Sequence, residues 1–419
     1  MKNQIMKNSV LFSLLVFLFS VAFIACDDNQ DSTPTPVNPP INSAEDLSKN
    51  LQKVIDETEM PGFTVAIVKN GEVTYQNSFG FADITSQKPY TNQTTQPIGS
   101  ISKTFIGAAI VKAIEEGYFT LETDINDILP VELINPKNPS ATIKVKHLVT
   151  HTSGLVDNAY LLAYHILPGE NMNTSGAQKL TDLMGVQQRD RIPLEEYLAE
   201  YYLEDGDLFS EDNFSANVPG TVWEYSNVAA SLAAYLVESA TGKSFDEYVF
   251  EKIFQPLGMN NSAFFPSDLN AEKMATLYFN KNTPLPLYGN DSYPDGSVNT
   301  SNEDLTKYLL DMIKGASGNS ELLFSKDGYK MLFNPLLPAG TVPSTLGDNQ
   351  GIFWILGNGD IKHDGGDPGL TTFMQFFPEE KTGFLLLTNM DASVDENEEN
   401  FSAAVASIFG GIQEFLSAN

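Results

Sequence analysis

The chain carries two kinds of apolar pattern, one with helical spacing and one with the alternation of strands. Residues 44–59 carry apolar side chains at helical spacing, and the helix that they predict ends at Met60-Pro61-Gly62. Strand-like runs over residues 63–69 and 72–79 follow, and Asn70-Gly71 between them is typical of a β-hairpin turn. The patterned part of the chain therefore opens with a helix and a hairpin.

The middle stretch, residues 100–335, is mostly helical in pattern, and Ser244 and Glu247 within it fit a helix capping box. Strand-like alternation returns near the end of the chain. The elements predicted there are strands over residues 351–356, 360–363, 370–377 and 383–389 and a terminal helix over residues 396–416. This order favours an α/β fold of the α+β type, in which N- and C-terminal strands form one antiparallel sheet flanked by helices. A mostly helical second subdomain covers about residues 120–335, and an active-site cleft is expected between the two.

The N-terminus has the pattern of an export signal. Lys2 and Lys7 precede an apolar run over residues 10–25, which is shorter than the roughly 20 residues of a membrane-spanning helix. Cys26, the only cysteine, ends that run and resembles the acylated cysteine of a bacterial lipoprotein. We predict a signal peptide over residues 1–25, a flexible tether over 26–43 and one domain over 44–419, anchored by lipid to a bacterial membrane in the cell envelope, periplasmic or surface-facing.

Charge and cysteine content narrow the possible partners. Acidic residues outnumber basic ones 54 to 24, and the net charge of -30 repels polyanions, so nucleic acid is not expected as a partner. One cysteine allows neither a disulfide framework nor a cysteine metal site. We expect a monomer without a cofactor.

The strongest local candidate for chemistry is Ser100-Ile101-Ser102-Lys103, at the start of an apolar helix that is predicted to end at Gly117. Residues three apart share a helix face, so the Ser100 hydroxyl and the Lys103 amine are expected to be neighbours. A serine needs a base to become a nucleophile, and desolvation could lower the pKa of Lys103 enough for that role. Alone, this spacing is a weak signal.

Two further motifs follow in order, Tyr225-Ser226-Asn227 and His363-Asp364-Gly365-Gly366. With Ser100 and Lys103 they resemble the penicillin-recognising serine hydrolases, in the class C β-lactamase-like branch that also holds D-alanyl-D-amino-acid peptidases and esterases. Residues 146–155, 251–259 and 365–369 also look like this branch. The resemblance extends over about residues 45–415 and implies a serine hydrolase that acts on a small ester, amide or peptide through an acyl-enzyme.

The resemblance also implies roles for single residues. Tyr225 is the second proton carrier beside Lys103, and Asn227 bonds the acyl side of the substrate. A phenol next to a lysine ammonium is expected to be stabilised as phenolate. The backbone N–H groups of Ser100 and Gly366 are expected to form the oxyanion hole.

Two other features lie outside these motifs. His147 and His151 lie four residues apart, but no third ligand accompanies them, so we expect them to hold a loop rather than a metal. Residues 157–218 form an acidic insertion, interpreted as a partial lid or a solvated loop.

The third motif departs from the Lys-Thr-Gly of β-lactamases. A neutral His363 supplies little positive charge, and Asp364 repels a substrate carboxylate. We therefore expect neutral or weakly cationic esters and amides as substrates. The alternatives are a D-alanyl-D-amino-acid carboxypeptidase or β-lactamase, and, in another class, a catalytically silent envelope lipoprotein that binds a cell-wall fragment in the old cleft.

Overall fold

The computed structural model describes residues 40–391 and 398–418. The predicted signal peptide, Cys26 and nearly all of the predicted tether lie outside these residues, so the predicted boundaries at 25 and 43 stay predictions. Within the described part, no helix is long and apolar enough to cross a membrane.

An eight-stranded antiparallel sheet is the centre of the fold. Its strands are β1 (Gly62–Lys69), β2 (Glu72–Asp83), β3 (Lys88–Pro89), β11 (Asn349–Gln350), β12 (Ile355–Leu356), β13 (Ile361–Asp367), β14 (Leu370–Phe377) and β15 (Thr382–Thr388). They lie in the order β11-β12-β13-β14-β15-β1-β2-β3 across the sheet. Phe63 pairs with Thr388 and Val68 with Gly383, so strands from the two ends of the domain lie side by side. The predicted joining of N- and C-terminal strands is confirmed.

Helices cover both faces of this sheet because its central strands are apolar on both sides. On β1, Val65 and Ile67 pack with the first and last helices, whereas Ala66 and Val68 face the helices of the middle. Successive side chains of a strand point to opposite faces, so a continuous apolar run is what a doubly covered strand requires.

The helices are short to medium in length and are spread over the whole domain. They are α1 (Ala44–Glu57), α2 (Ser102–Glu115), α3 (Val145–Val149), α4 (Ser175–Met184), α5 (Leu194–Tyr202), α6 (Asn227–Thr241), α7 (Phe245–Val249), α8 (Gln255–Leu257), α9 (Asn302–Ala316), α10 (Lys326–Phe333) and α11 (Glu398–Ser417). A π-helical segment, Phe250–Phe254, joins α7 to α8. The helical character of the middle agrees with the sequence prediction.

Helix α2 is buried along nearly its whole length, and its residues from Ser102 to Val111 are all inaccessible or nearly so. A helix that is apolar all round packs on every side rather than on one stripe. Phe105 of α2 stacks on Tyr308 of α9 with ring centroids 4.2 Å apart. The N-terminal end of α2 is therefore held rigidly in the centre of the molecule.

Further short strands lie outside the large sheet, and one of them lies shortly before α2 in the chain. They are β4 (Thr95–Pro97), β5 (Tyr164–Ile166), β6 (Gln187–Gln188), β7 (Tyr278–Asn280), β8 (Thr283–Pro284), β9 (Tyr288–Asn290) and β10 (Asn299–Ser301). β4 pairs with β10, and the Ser102 hydroxyl accepts a hydrogen bond from the Val298 N–H at 3.0 Å. These contacts bring the loop before β10 against the first turn of α2.

Three local predictions were wrong. Within residues 351–356 only Ile355 and Leu356 are in a strand, because Phe353 adopts a positive φ of 55° that breaks extended structure. Ser244 does not cap α7 through its side chain, so the capping box is absent. Ser100 lies in a 3-10 turn, Gly99–Ile101, that leads directly into α2 at Ser102, rather than inside α2 itself.

Candidate active site

Ser100 lies at the junction between the 3-10 turn and α2, and its side chain is half-buried. One helical turn later, the Lys103 side chain is fully buried and its Nζ lies 3.1 Å from the Ser100 Oγ. Gly99 supplies the turn, with a φ of 54° that favours glycine. The expected neighbour relation between serine and lysine is present.

Lys103 uses all three of its ammonium hydrogens. Besides Ser100, its Nζ donates to the Asn227 Oδ1 at 2.7 Å and to the Asp295 backbone carbonyl at 2.9 Å. The Asp295 carboxylate lies 3.9 Å from the same nitrogen, and its side chain is as buried as that of the lysine. Three acceptors and a nearby carboxylate are the environment of a protonated lysine.

Tyr225 approaches Ser100 from the other side. Its hydroxyl donates to the Ser100 Oγ at 2.8 Å, and the Lys103 Nζ lies 5.0 Å from the centre of its ring. The ring rests on His151, with centroids 4.5 Å apart. Burial lowers the pKa of His151 well below its usual value, and the charge of Lys103 lowers it further, so His151 supports the tyrosine as a neutral ring.

The protonation states differ from the sequence prediction. Burial alone lowers the pKa of Lys103, but the opposite charge of an ionised Tyr225 and that of the Asp295 carboxylate outweigh burial and raise that pKa above its usual value. For Tyr225, burial raises the pKa and outweighs the opposing effect of Lys103. The raised pKa of Tyr225 argues against the expected phenolate in the resting site, and the three acceptors around the Lys103 Nζ fit an ammonium rather than the expected neutral amine.

Asp157 orients the residues at the start of α6. Its carboxylate accepts from the Ser226 hydroxyl at 2.8 Å and from the Asn227 backbone N–H, also at 2.8 Å. It further accepts from the Val228 N–H at 3.1 Å and from the Asn227 Nδ2 at 2.8 Å. Because Nδ2 faces Asp157, Oδ1 of Asn227 must face Lys103. The amide thus links a buried acid to the lysine, and the predicted contact of Asn227 with substrate stays a prediction.

Strand β13 supplies the third wall of the site. β12 pairs with it only at Ile361 and Lys362, so from His363 onward one edge of β13 is left without a neighbouring strand. The His363 ring is buried, and its Nδ1 lies 2.7 Å from the Asp364 carbonyl. A carbonyl only accepts, so Nδ1 carries the proton, and burial lowers the pKa of His363 to about 4. His363 is therefore neutral, whereas the Asp364 side chain is exposed.

Glycine is required where β13 meets Ser100. A Cβ on Gly365 would lie 2.2 Å from the Ile98 carbonyl oxygen and 3.0 Å from the Ser100 nitrogen. A Cβ on Gly99 would lie 3.1 Å from the Gly366 nitrogen. The two N–H groups expected to form the oxyanion hole, those of Ser100 and Gly366, are therefore on backbone segments in direct contact.

The sequence did not identify two acids as part of the site: Asp295, which is buried beside Lys103, and Asp367, which is half-buried. The Asp295 carboxylate accepts from the Tyr160 hydroxyl at 2.7 Å, and the Tyr164 hydroxyl donates to Asp367 at 2.9 Å. The two phenol oxygens are 3.4 Å apart. We call Asp295, Tyr160, Tyr164 and Asp367 the acid–tyrosine network. Asp367 directly follows Gly366 and lies in the family-like stretch 365–369, but neither feature revealed its contact with Tyr164.

The insertion over residues 157–218 supplies Asp157 and both tyrosines of this network. Tyr197 and Tyr201 of its helix α5 are buried in the main core, so this part is not a loosely solvated loop. His147 lies below it, where its Nδ1 accepts from the Lys144 N–H at 3.1 Å at the start of α3. In residues 40–391 and 398–418, no group of three or more His, Cys, Asp or Glu side chains is placed to hold a metal ion.

Comparison with known proteins agrees with this architecture. The β-lactamase family model matches residues 47–407. Penicillin-binding protein 4* of Bacillus subtilis is 23% identical over 384 residues, covering 86% of this chain and 75% of that protein. Protein flp of Staphylococcus aureus is 22% identical, and the match covers 84% of this chain and 64% of flp. The chain thus spans about two thirds of the length of flp.

Among solved structures, the octameric penicillin-binding protein homologue from Pyrococcus abyssi superimposes with a TM-score of 0.65 at 25% identity. The match covers 86% of this chain and 77% of that one. The family match extends over most of the domain, and the antiparallel sheet flanked by helices is the fold of its structural relatives. The chain therefore belongs to the β-lactamase family of the penicillin-recognising serine hydrolases.

Proposed function

We propose that the protein is a serine hydrolase that forms an acyl-enzyme at Ser100 on neutral or weakly cationic esters or amides. The observation that carries the proposal is the convergence on one oxygen: the Lys103 Nζ at 3.1 Å and the Tyr225 hydroxyl at 2.8 Å both contact the Ser100 Oγ. A serine contacted by two proton carriers, at a backbone cleft suited to an oxyanion, is arranged for acyl transfer.

The reaction follows from these contacts. The substrate carbonyl lies between the N–H groups of Ser100 and Gly366, and the Ser100 Oγ attacks its carbon. The proton of Ser100 passes to the Lys103–Tyr225 pair and from there to the leaving alcohol or amine. Water then attacks the acyl-enzyme with the same pair as base and releases the acid and the free serine.

The resting pair holds one proton too many to act as a base. Tyr225 is a phenol because burial raises its pKa, and the three acceptors around the Lys103 Nζ suit an ammonium. The reactive form has lost one proton from the pair, which titrates as a unit. We expect kcat/KM to rise as the pH increases through the pKa of the pair, with acid inhibition below it.

The third wall supports the substrate class. His363 is neutral because burial lowers its pKa to about 4, so it offers no fixed cation to a substrate carboxylate. Asp364, the next residue, has an exposed side chain that repels one. Both features favour neutral or cationic substrates over penicillins and peptides with a free C-terminal carboxylate.

A serine-directed aryl phosphonate tests the proposal. The intact protein should gain the mass of one phosphonyl group, Ser100→Ala should gain none, and Ser102→Ala, a neighbouring serine that bonds Val298, should still be labelled. An adduct that persists on Ser100→Ala refutes the assignment. Absence of labelling in the folded wild type would favour the silent binding lipoprotein.

A substrate panel separates the remaining candidates. Short neutral esters should be turned over faster than a chromogenic cephalosporin or a peptide that ends in D-alanyl-D-alanine. The reverse order would favour a β-lactamase or a carboxypeptidase, which use the same nucleophile and differ in the charge that they recognise.

We also propose that the mature protein is a lipoprotein acylated at Cys26. The support is positional, since this cysteine falls at the boundary between an apolar run and a polar stretch. Wild type expressed in a bacterium should partition with membranes and start at an acylated Cys26, and Cys26→Ala should not. A mature wild-type chain that starts elsewhere and carries no lipid refutes this proposal.

A further inference from the structure

Asp295 occupies an unusual place in the site, behind the catalytic lysine and away from solvent. Its side chain and that of Lys103 are 1% and 0% exposed, and the two charges lie 3.9 Å apart without a direct hydrogen bond. The contact between them is made by the Asp295 backbone carbonyl, which accepts from the Lys103 Nζ at 2.9 Å. One residue therefore both positions the ammonium and places a negative charge beside it.

The carboxylate is held in place by hydroxyl donors on three segments of chain. Tyr160 donates to one oxygen at 2.7 Å, Ser292 donates to the other at 2.6 Å, and the Ser231 hydroxyl is 3.1 Å from that second oxygen. Each of these hydroxyls can donate to a carboxylate oxygen, so the contacts suit the ionised form of Asp295. Since Asn290 donates to the Tyr160 oxygen at 2.9 Å, the phenol proton is directed at Asp295.

We propose that Asp295 is a positioning residue for Lys103 that keeps the lysine charged and aimed at Ser100, and thereby sets the pH at which the site becomes reactive. The proposal rests on the proposed hydrolase function. The negative charge stabilises the ammonium on Lys103 and opposes a phenolate on Tyr225, so both members of the pair retain their proton to higher pH. Asp295 itself never touches the substrate.

Other ionisable groups also face this carboxylate. The cation is Lys103 on α2, and the acids are Asp157 and Asp367. The phenols are Tyr160, Tyr164, Tyr197 and Tyr225. Burial raises the pKa of Asp295 to about 6 against the opposing effect of Lys103, so the carboxylate is ionised at neutral pH and is lost only below that value. Lys103 is the only one of these groups that carries a positive charge.

The charge effect can be separated from a loss of structure by its pH dependence. Two unit charges about 4 Å apart at an effective dielectric near 20 shift each other's pKa by up to about 3 units. Asp295→Asn keeps the backbone carbonyl and a side-chain acceptor for Tyr160 but removes the charge. We call the pH range over which kcat/KM rises the acid limb. For a neutral aryl ester, we expect the acid limb of Asp295→Asn to lie about 1 to 3 pH units lower than that of wild type.

The matched control is Asp367→Asn, the same change at the far end of the acid–tyrosine network. Its acid limb should move less than that of Asp295→Asn, and Asp295→Glu, which restores the charge, should return the limb toward wild type. A uniform loss of activity at every pH in Asp295→Asn, with no displacement of the limb, overturns the proposal. An equal displacement in Asp367→Asn would also overturn it.

A second variant covers the case in which Asp295→Asn does not fold. Asp295→Ser also removes the charge and keeps the backbone carbonyl, so its acid limb should likewise move down by about 1 to 3 pH units. An unmoved limb in a folded Asp295→Ser then overturns the inference. Phosphonate labelling of wild type at Ser100 is unaffected by these outcomes, so failure of this inference and failure of the hydrolase proposal are distinguishable.

Discussion

Lys103 lies between two sets of polar groups that the chain brings together in different ways. On one side are Ser100, three residues earlier, and Tyr225, which donates to the same serine. On the other side is Asp295, a buried acid that the short β4–β10 pairing brings against the helix. In the proposed reaction the groups on the first side exchange protons with the substrate, and we propose that Asp295 on the second side fixes the charge of Lys103.

This difference shows why a motif can identify the chemistry of a site and still give the wrong protonation states. Desolvation of Lys103 suggests a neutral amine when burial alone is considered. The opposite charge of an ionised Tyr225, together with the Asp295 carboxylate on the other side, reverses the direction of the pKa.

We expect the largest effect on the rate from substitutions of Lys103 and Tyr225, the two side chains that contact the Ser100 hydroxyl. Lys103→Ala and Tyr225→Phe should each lower the rate of acylation by roughly 10² to 10⁴, the range of general acid–base groups, while the fold is retained. Tyr160→Phe, on the acid side, should cost less than about tenfold at the optimum pH. Stopped-flow acylation by an activated ester measures all three, and a near-wild-type rate in Lys103→Ala would mean that another base acts.

A substitution of Asp367, in the acid–tyrosine network, should change the stability of the protein more than its catalytic rate. Burial raises the pKa of Asp367 to about 7 from a usual value of 3.8. Between these values the folded state holds a proton that the unfolded state lacks, so this group makes stability fall as the pH rises from 4 to 7. The substituted side chain in Asp367→Asn does not titrate. The unfolding free energy of this variant minus that of wild type should therefore be about 1 to 3 kcal/mol larger at pH 8 than at pH 5. Urea unfolding at both pH values measures it, and an equal change at both would contradict the shifted pKa.

The contact between β13 and Ser100 can be tested by one added methyl group. Gly365→Ala places a Cβ 2.2 Å from the Ile98 carbonyl, so β13 must move, at a cost of about 1 to 3 kcal/mol in stability. Gly366→Ala meets nothing within 4 Å and should keep the wild-type melting temperature. Calorimetry of the two variants decides, and equal melting temperatures would show that the close approach is absent in solution.

The smallest expected effect concerns the charge of the substrate. Asp364→Thr should raise kcat/KM for a carboxylate-bearing aryl ester several-fold relative to its neutral analogue, since a repulsion of even about 1 kcal/mol corresponds to that ratio. The ratio in wild type should shrink at high salt. A variant that changes both substrates equally would show that Asp364 does not sense substrate charge.

The sheet and the serine motif could be predicted from the sequence because both depend on local pattern. Apolar alternation identified residues 370–377 as β14 without error, and the spacing of Ser100 and Lys103 fixes their contact within one helical turn. Asp295 has no such signal. It lies in a short polar turn and becomes important only because β10 pairs with β4, which depends on three residues in each strand.

Asp157 shows the same limit from another direction. It was included in the acidic insertion, where a solvated face is the ordinary interpretation of a carboxylate. Its four hydrogen bonds all go to residues 226–228, about 70 positions later, so no pattern near Asp157 could reveal them. Polar contacts between distant segments are set by the completed fold.

The pairing of β1 with β15 has a consequence for how the molecule can assemble. The two strands lie next to each other inside the sheet but come from opposite ends of the domain. The sheet is therefore incomplete until its last strand, β15, has been synthesised. Contacts of such high sequence separation slow folding, and β1 and β14 each present an open edge until β15 arrives. A chain cut short before residue 382 should therefore lose the whole sheet cooperatively rather than a single strand.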